Sequence, residues 1–177
     1  MTALVTGGAA SGKSAYAESL VLRSPARPRI YLATMEPFGA EAERRIERHR
    51  AMRAAKGFQT LERYTDIMGV TVPAGSAVLL ECLGNLCANE LYSPGGAGKE
   101  RAGEAIFDGI LRLAGQCADL VIVSNEVGSG GSAYEGDTLA YIRLLASLHR
   151  RLAAWADIVC EVACGLPVYH KEEGCRS

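Results

Sequence analysis

Residues 5–14 read VTGGAASGKS, in which Gly7, Gly12, Lys13 and Ser14 satisfy the spacing G-x-x-x-x-G-K-[ST]. That spacing works only where a buried strand enters a tight turn and the turn opens a helix. It therefore constrains the architecture more than any other stretch of the chain. The glycines let backbone N–H groups turn inward with no Cβ in the way. The helix N-terminus adds a partial positive charge. Lys13 is placed to reach β- and γ-phosphate oxygens, and the Ser14 hydroxyl to ligate Mg²⁺. "TALVT" (2–6) supplies the apolar strand, and a helical pattern runs on to about Arg23. Nucleoside triphosphate binding is the expectation; the reaction that follows is not written in the loop.

The rest of the chain repeats this alternation. Strands are expected at 29–34, 58–62, 77–81, 119–126, 157–163 and, near an edge, 166–170. Helices are expected at 40–56, 84–91, 100–116 and 137–156. In the last of these Leu139, Ile142, Leu145, Leu148 and Leu152 recur three or four apart and mark one apolar face. "SPGGAG" (93–98) and residues 127–136 read as loops. Strands apolar on both faces, separated by helices, describe an α/β fold with a mostly parallel central sheet flanked by helices. No repeat or linker divides the 177 residues, so one domain over 1–177 is expected.

Charge and cysteine content narrow the function classes. The formal net charge is −1, so no global positive field suits a nucleic acid partner. The opening MTALVTGGAA has no signal-peptide pattern, and the cysteine spacings, such as Cys82 to Cys87 and Cys160 to Cys164, include no C-x-x-C pair. The six cysteines read as thiols of a cytoplasmic protein. No apolar run approaches the roughly 20 residues that span a bilayer.

A phosphate loop needs an acid at a neighbouring strand end to hold Mg²⁺ or its water. Glu81 closes "AVLLE" and Glu126 closes "VIVSNE", both at the expected carboxyl edge of the sheet. Glu81 is the stronger candidate for a metal or nucleotide contact, and either residue also reads as a solvated strand terminus.

Positive charge is concentrated elsewhere. In "RRIERHRAMRAAKG" (44–57) His49 lies among Arg44, Arg45, Arg48, Arg50, Arg53 and Lys56. On a helix Arg45, Met52, Arg53 and Lys56 share its face. Neighbouring cations disfavour a charged imidazole, and a neutral imidazole is a nucleophile flanked here by guanidiniums suited to phosphate oxygens. Taken alone, these residues leave a solvated basic helix and an RNA-binding patch open as well. No aromatic interleaves the arginines, which weighs against RNA. His149 and His170 read as structural or exposed.

These motifs occur together in a recognisable order. "LVTGGAASGKS", "IYLATMEPF", "RIERHRAMR", "LLECLGNLCANE" and "VIVSNEVGSGG" resemble the bifunctional adenosylcobinamide kinase / adenosylcobinamide-phosphate guanylyltransferase family, over residues from about 3 to about 171. The resemblance implies a recombinase-like P-loop fold and a homotrimer. It implies phosphorylation of adenosylcobinamide by a nucleoside triphosphate, ATP or GTP. Transfer of GMP from GTP to adenosylcobinamide phosphate would follow, through GMP held on His49. It further implies nucleotide contacts from Gly7, Gly8, Ala9, Ala10, Ser11, Gly12, Lys13 and Ser14. Ala33, Thr34 and Met35, Arg50, Ala51, Met52 and Arg53, and Glu62 and Glu81 complete that set. Residues 129–145 depart from the family's pattern after N-E-V-G, which bears on corrinoid contacts there. Two other readings remain compatible with the residues. One is a P-loop kinase for another small alcohol, with His49 a bystander. The other is a nucleotide-switched binding module.

Overall fold

The computed structural model describes residues 1–37, 47, 50, 51, 53–127 and 134–172. In chain order its strands are β1 (Thr2–Thr6), β2 (Arg29–Ala33), β3 (Phe58–Glu62), β4 (Ala77–Glu81), β5 (Asp119–Val123), β6 (Ile158–Ala163) and β7 (Leu166–Glu172). The helices are α1 (Lys13–Arg23), α2 (Leu83–Tyr92), α3 (Ala102–Ala114) and α4 (Gly136–Trp155). A 3-10 turn at Ile67–Gly69, not expected from the sequence, lies between β3 and β4. The expected helix over 40–56 lies mostly outside the described residues; Glu47, Arg50, Ala51 and residues 53–55 are helical.

The strands form one sheet in the order β3-β2-β4-β5-β1-β6-β7. Every pairing is parallel except the antiparallel β6–β7 hairpin at one edge. Ala33 pairs with both Glu62 and Glu81, and Glu81 pairs with Val123. The carboxyl ends of β2, β3, β4 and β5 therefore finish level, where ligands bind in open α/β sheets.

Side chains alternate faces along each strand, so the sheet carries a core on both sides. Leu4, Ile30, Leu32, Val78, Leu80, Leu120 and Ile122 meet Leu86 of α2, Ile110 of α3, and Leu145, Leu148 and Leu152 of α4. Ala3, Val5, Tyr31, Leu79, Val121 and Val123 point the other way, against Ala17, Leu20 and Val21 of α1. The expected apolar face of α4 is only half applied: Leu145, Leu148 and Leu152 are buried, while Leu139 and Ile142 are partly exposed. Among the described residues no helix is long and apolar enough to cross a membrane. Cys82, Cys87, Cys117, Cys160 and Cys164 are free thiols.

Two strands stop earlier than the sequence suggests. β5 ends at Val123 rather than Glu126, because the chain then turns under the phosphate loop, where the Glu126 N–H donates to the Gly7 carbonyl at 3.1 Å. β2 ends at Ala33, and Thr34 turns its hydroxyl to the Cys82 backbone, accepting from its N–H at 2.7 Å and donating to its carbonyl at 2.8 Å.

Leu80 is fully buried at the centre of the sheet. Leu80→Ala is expected to destabilise the protein by about 2–5 kcal/mol. Urea unfolding should show a lower midpoint with an unchanged slope.

Candidate functional site

The turn between β1 and α1 is braced from outside. The Gly7 carbonyl accepts from Glu126, and the Ser11 carbonyl accepts from the Gly165 N–H at 2.8 Å in the β6–β7 turn. A Cβ on Gly7 would lie 2.6 Å from the Val162 carbonyl oxygen, so only glycine fits against β6. Gly12 has φ +92 and caps α1 without a side-chain hydrogen bond. The α1 N-terminus thus keeps its orphan N–H groups free of a capping side chain, as anion binding requires. Lys13, 8% exposed, bends back to donate from Nζ to the Gly8 carbonyl at 2.9 Å.

Glu81 joins this loop to the sheet edge. Its Oε1 accepts from the Ser14 hydroxyl at 2.5 Å, and its Oε2 accepts from the Tyr31 hydroxyl at 2.7 Å. Burial and the Glu81 charge both push the Tyr31 phenol pKa upward, so it stays a donor throughout the physiological range. β4 is not adjacent to β1; Glu81 reaches Ser14 past the end of β5.

Arg53 supplies a second cation. It is 7% exposed, and its guanidinium carbon stands 3.7 Å from the centre of the Tyr31 ring. Stacking of this kind contributes about 0.5–2 kcal/mol. Its Nε has no hydrogen-bond partner among the described residues, although it is buried. An orphaned buried guanidinium nitrogen is costly unless a ligand completes it. Phe58 meets the Tyr31 ring edge-on, with centroids 6.2 Å apart, and fixes its orientation.

These groups surround a cavity of about 260 Å³ lined by Lys13, Ser14, Tyr31, Ala33, Met35, Arg53, Glu62, Glu81, Cys82, Asn85, Val123 and Asn125. Of the residues singled out in the sequence it brings together Lys13, Ser14, Ala33, Met35, Arg53, Glu62 and Glu81. Gly8, Ala9, Ala10 and Gly12 are exposed along the loop, Ser11 is half-buried and Gly7 is buried. Thr34 is fully buried and does not line the cavity. Arg50 and Ala51 are exposed outside it, Arg50 paired with Glu47 and Glu62. His49 and Met52 lie outside the described residues. Glu126 is exposed, and its part in the site is its backbone N–H. Tyr31, Cys82, Asn85, Val123 and Asn125 were not expected. Asn85 and Asn125 each follow an apolar strand by a few residues, the same signal that singled out Glu81.

The residue before Asn125 explains one histidine. The Ser124 hydroxyl, fully buried, is 2.7 Å from His149 Nε2 on α4. Burial lowers the His149 pKa. A folded value below the unfolded value of about 6.5 means that the unfolded chain takes up the proton first as pH falls. The stability that depends on a neutral ring is then complete above that value and declines below it. Urea midpoints measured from about pH 8 to about pH 5 should fall, and His149→Gln should flatten that dependence.

The family model described as cobinamide kinase / cobinamide phosphate guanyltransferase matches residues 3–169. The bifunctional adenosylcobalamin biosynthesis protein CobU of Salmonella typhimurium is 35% identical, over 95% of this chain and 98% of its own length. CobP of Pseudomonas aeruginosa, which carries the same bifunctional description, is 31% identical over 98% of this chain and 99% of its own. The flagellar accessory protein FlaH from Methanocaldococcus jannaschii superposes with a TM-score of 0.51 at 10% identity, covering 97% of this chain and 78% of that one. That likeness is one of fold alone. By the extent of the family match, this chain belongs to the cobinamide kinase / cobinamide phosphate guanyltransferase family.

Proposed function

We propose that the protein phosphorylates adenosylcobinamide with ATP or GTP and then transfers GMP from GTP to the resulting phosphate. The observation that carries this reading is the Ser14–Glu81 hydrogen bond, inside a cavity that also presents Lys13 and Arg53. Family membership supplies the acceptor. A hydroxyl and a carboxylate are hard oxygen donors, which suits Mg²⁺ shared with nucleotide phosphates. Among the described residues no group of three or more His, Cys, Asp and Glu could hold a metal. Ser14 and Glu81 supply two protein oxygens, which suits an ion that shares its coordination with nucleotide phosphates. When bound, Mg²⁺ would neutralise phosphate charge.

In the phosphoryl step the loop N–H groups and Lys13 orient the triphosphate, and the Lys13 ammonium offsets charge on the transferring group. In the guanylyl step a His49 ring nitrogen attacks the α-phosphorus of GTP. A P–N bond forms, the α–β P–O bond breaks, and pyrophosphate leaves with that bond's electron pair. A phosphate oxygen of adenosylcobinamide phosphate then attacks the same phosphorus and displaces the imidazole. Splitting the displacement into two lowers each barrier. Arg53, four residues beyond His49 in sequence, lines the cavity, and its guanidinium suits phosphate oxygens.

Lys13→Ala is expected to lower the kinase rate by about 10²–10³ in a folded protein. GTP labelled in the α-phosphate should leave acid-labile, alkali-stable label on the protein, and γ-labelled GTP should not. His49→Asn should abolish that label and guanylyl transfer while kinase turnover continues. Persistence of α-label in His49→Asn would move the covalent step to another residue.

A further inference from the structure

The residue that ties the cavity together is one to which neither the phosphate loop nor the basic cluster draws attention. Tyr31 is 7% exposed in the middle of β2 and uses both parts of its side chain. Its hydroxyl occupies Glu81 Oε2 at 2.7 Å, which leaves Oε1 for the Ser14 hydroxyl at 2.5 Å. Its ring is the platform for Arg53, 3.7 Å away, and is itself held edge-on by Phe58. We propose that Tyr31 is a positioning residue for nucleotide and metal: its hydroxyl sets which Glu81 oxygen faces Ser14, and its ring holds the Arg53 guanidinium at the cavity. The proposal rests on the nucleotide-binding reading given above.

The physical reasoning separates the two halves. A carboxylate with one free oxygen rotates between two arrangements, and only one of them keeps Oε1 on Ser14. A donor on the second oxygen removes that freedom, as outer partners of metal-ligating carboxylates do. A charge-assisted hydrogen bond from a buried phenol is strong enough to hold it. Arg53 is a different problem. It is 7% exposed and its Nε has no partner among the described residues. The Tyr31 ring lies under that guanidinium, and the Tyr31 hydroxyl interacts with it as well. One aromatic side chain therefore serves the acid near the phosphate loop and the arginine of the basic cluster.

Two substitutions separate what the hydroxyl does from what the ring does. Tyr31→Phe keeps the ring and deletes the hydroxyl. Tyr31→Leu deletes both. Binding of a fluorescent, non-hydrolysable GTP analogue to the full chain is measured against Mg²⁺ concentration, below the melting temperature of each variant. In Tyr31→Phe the half-saturating Mg²⁺ should rise by about tenfold, the lower end of the effect of losing an outer carboxylate partner. In Tyr31→Leu it should rise as much, and affinity at saturating Mg²⁺ should also fall well below that of Tyr31→Phe. A loss of packing alone would lower the melting temperature without moving the Mg²⁺ midpoint. Wild-type binding with an unmoved midpoint in Tyr31→Phe overturns the hydroxyl role. Equal affinity of the Phe and Leu variants at saturating Mg²⁺ overturns the ring role. Wild-type protein that shows no Mg²⁺-dependent nucleotide binding overturns the functional reading itself, and this proposal with it.

Discussion

Glu81 takes one hydrogen bond from the Ser14 hydroxyl at 2.5 Å and another from the Tyr31 hydroxyl at 2.7 Å. Those donors stand on α1 and β2, and the acceptor ends β4, so three elements far apart in sequence meet on one carboxylate. The meeting is possible only because the strands are parallel and end level, with Ala33 beside Glu81 and Glu81 beside Val123. A slip of one residue in β4 would turn Glu81 to the opposite face of the sheet. Correct register and a working cavity are therefore the same condition.

The phosphate loop obeys a complementary rule. Two of its carbonyls are used by groups outside it, Gly7 by Glu126 and Ser11 by Gly165, while the Gly8 carbonyl accepts from Lys13 and the Ser11 N–H within the loop. Its amide groups at the α1 end have no side-chain cap. Several acceptors are consumed while the α1 N-terminus carries no side-chain cap, which suits an anion there. Across the cavity the cations Lys13 and Arg53 face the acids Glu62 and Glu81. The two positive and two negative side chains of the lining offset one another.

Much of this was legible in the residues themselves. The strand–loop–helix at the start is written in glycine spacing and apolar runs, and Glu81 is marked by its place at the end of "AVLLE". Tyr31 was not legible, because inside "RIYLA" it is one more apolar strand residue until the order β3-β2-β4 brings its hydroxyl to Glu81. Asn125 was hidden by its neighbour: an acid attracts attention, yet Glu126 contributes its backbone and Asn125 lines the cavity. Thr34 shows the reverse. It belongs to a motif, but its hydroxyl is occupied by the Cys82 backbone on both donor and acceptor sides. Strand neighbours depend on non-local pairing, which no local pattern encodes.

The central position of β1 also orders events during synthesis. Thr2 pairs with Leu120 on one side and Ala3 with Ile158 on the other, so both hydrogen-bonding partners of this strand are translated long after it. An apolar strand with two open edges must wait on or near the ribosome, where such a segment attracts chaperones or other nascent strands. The long sequence separation also slows closure of the sheet. The G-x-x-x-x-G-K-S motif is thus made well before the strands that give it shape.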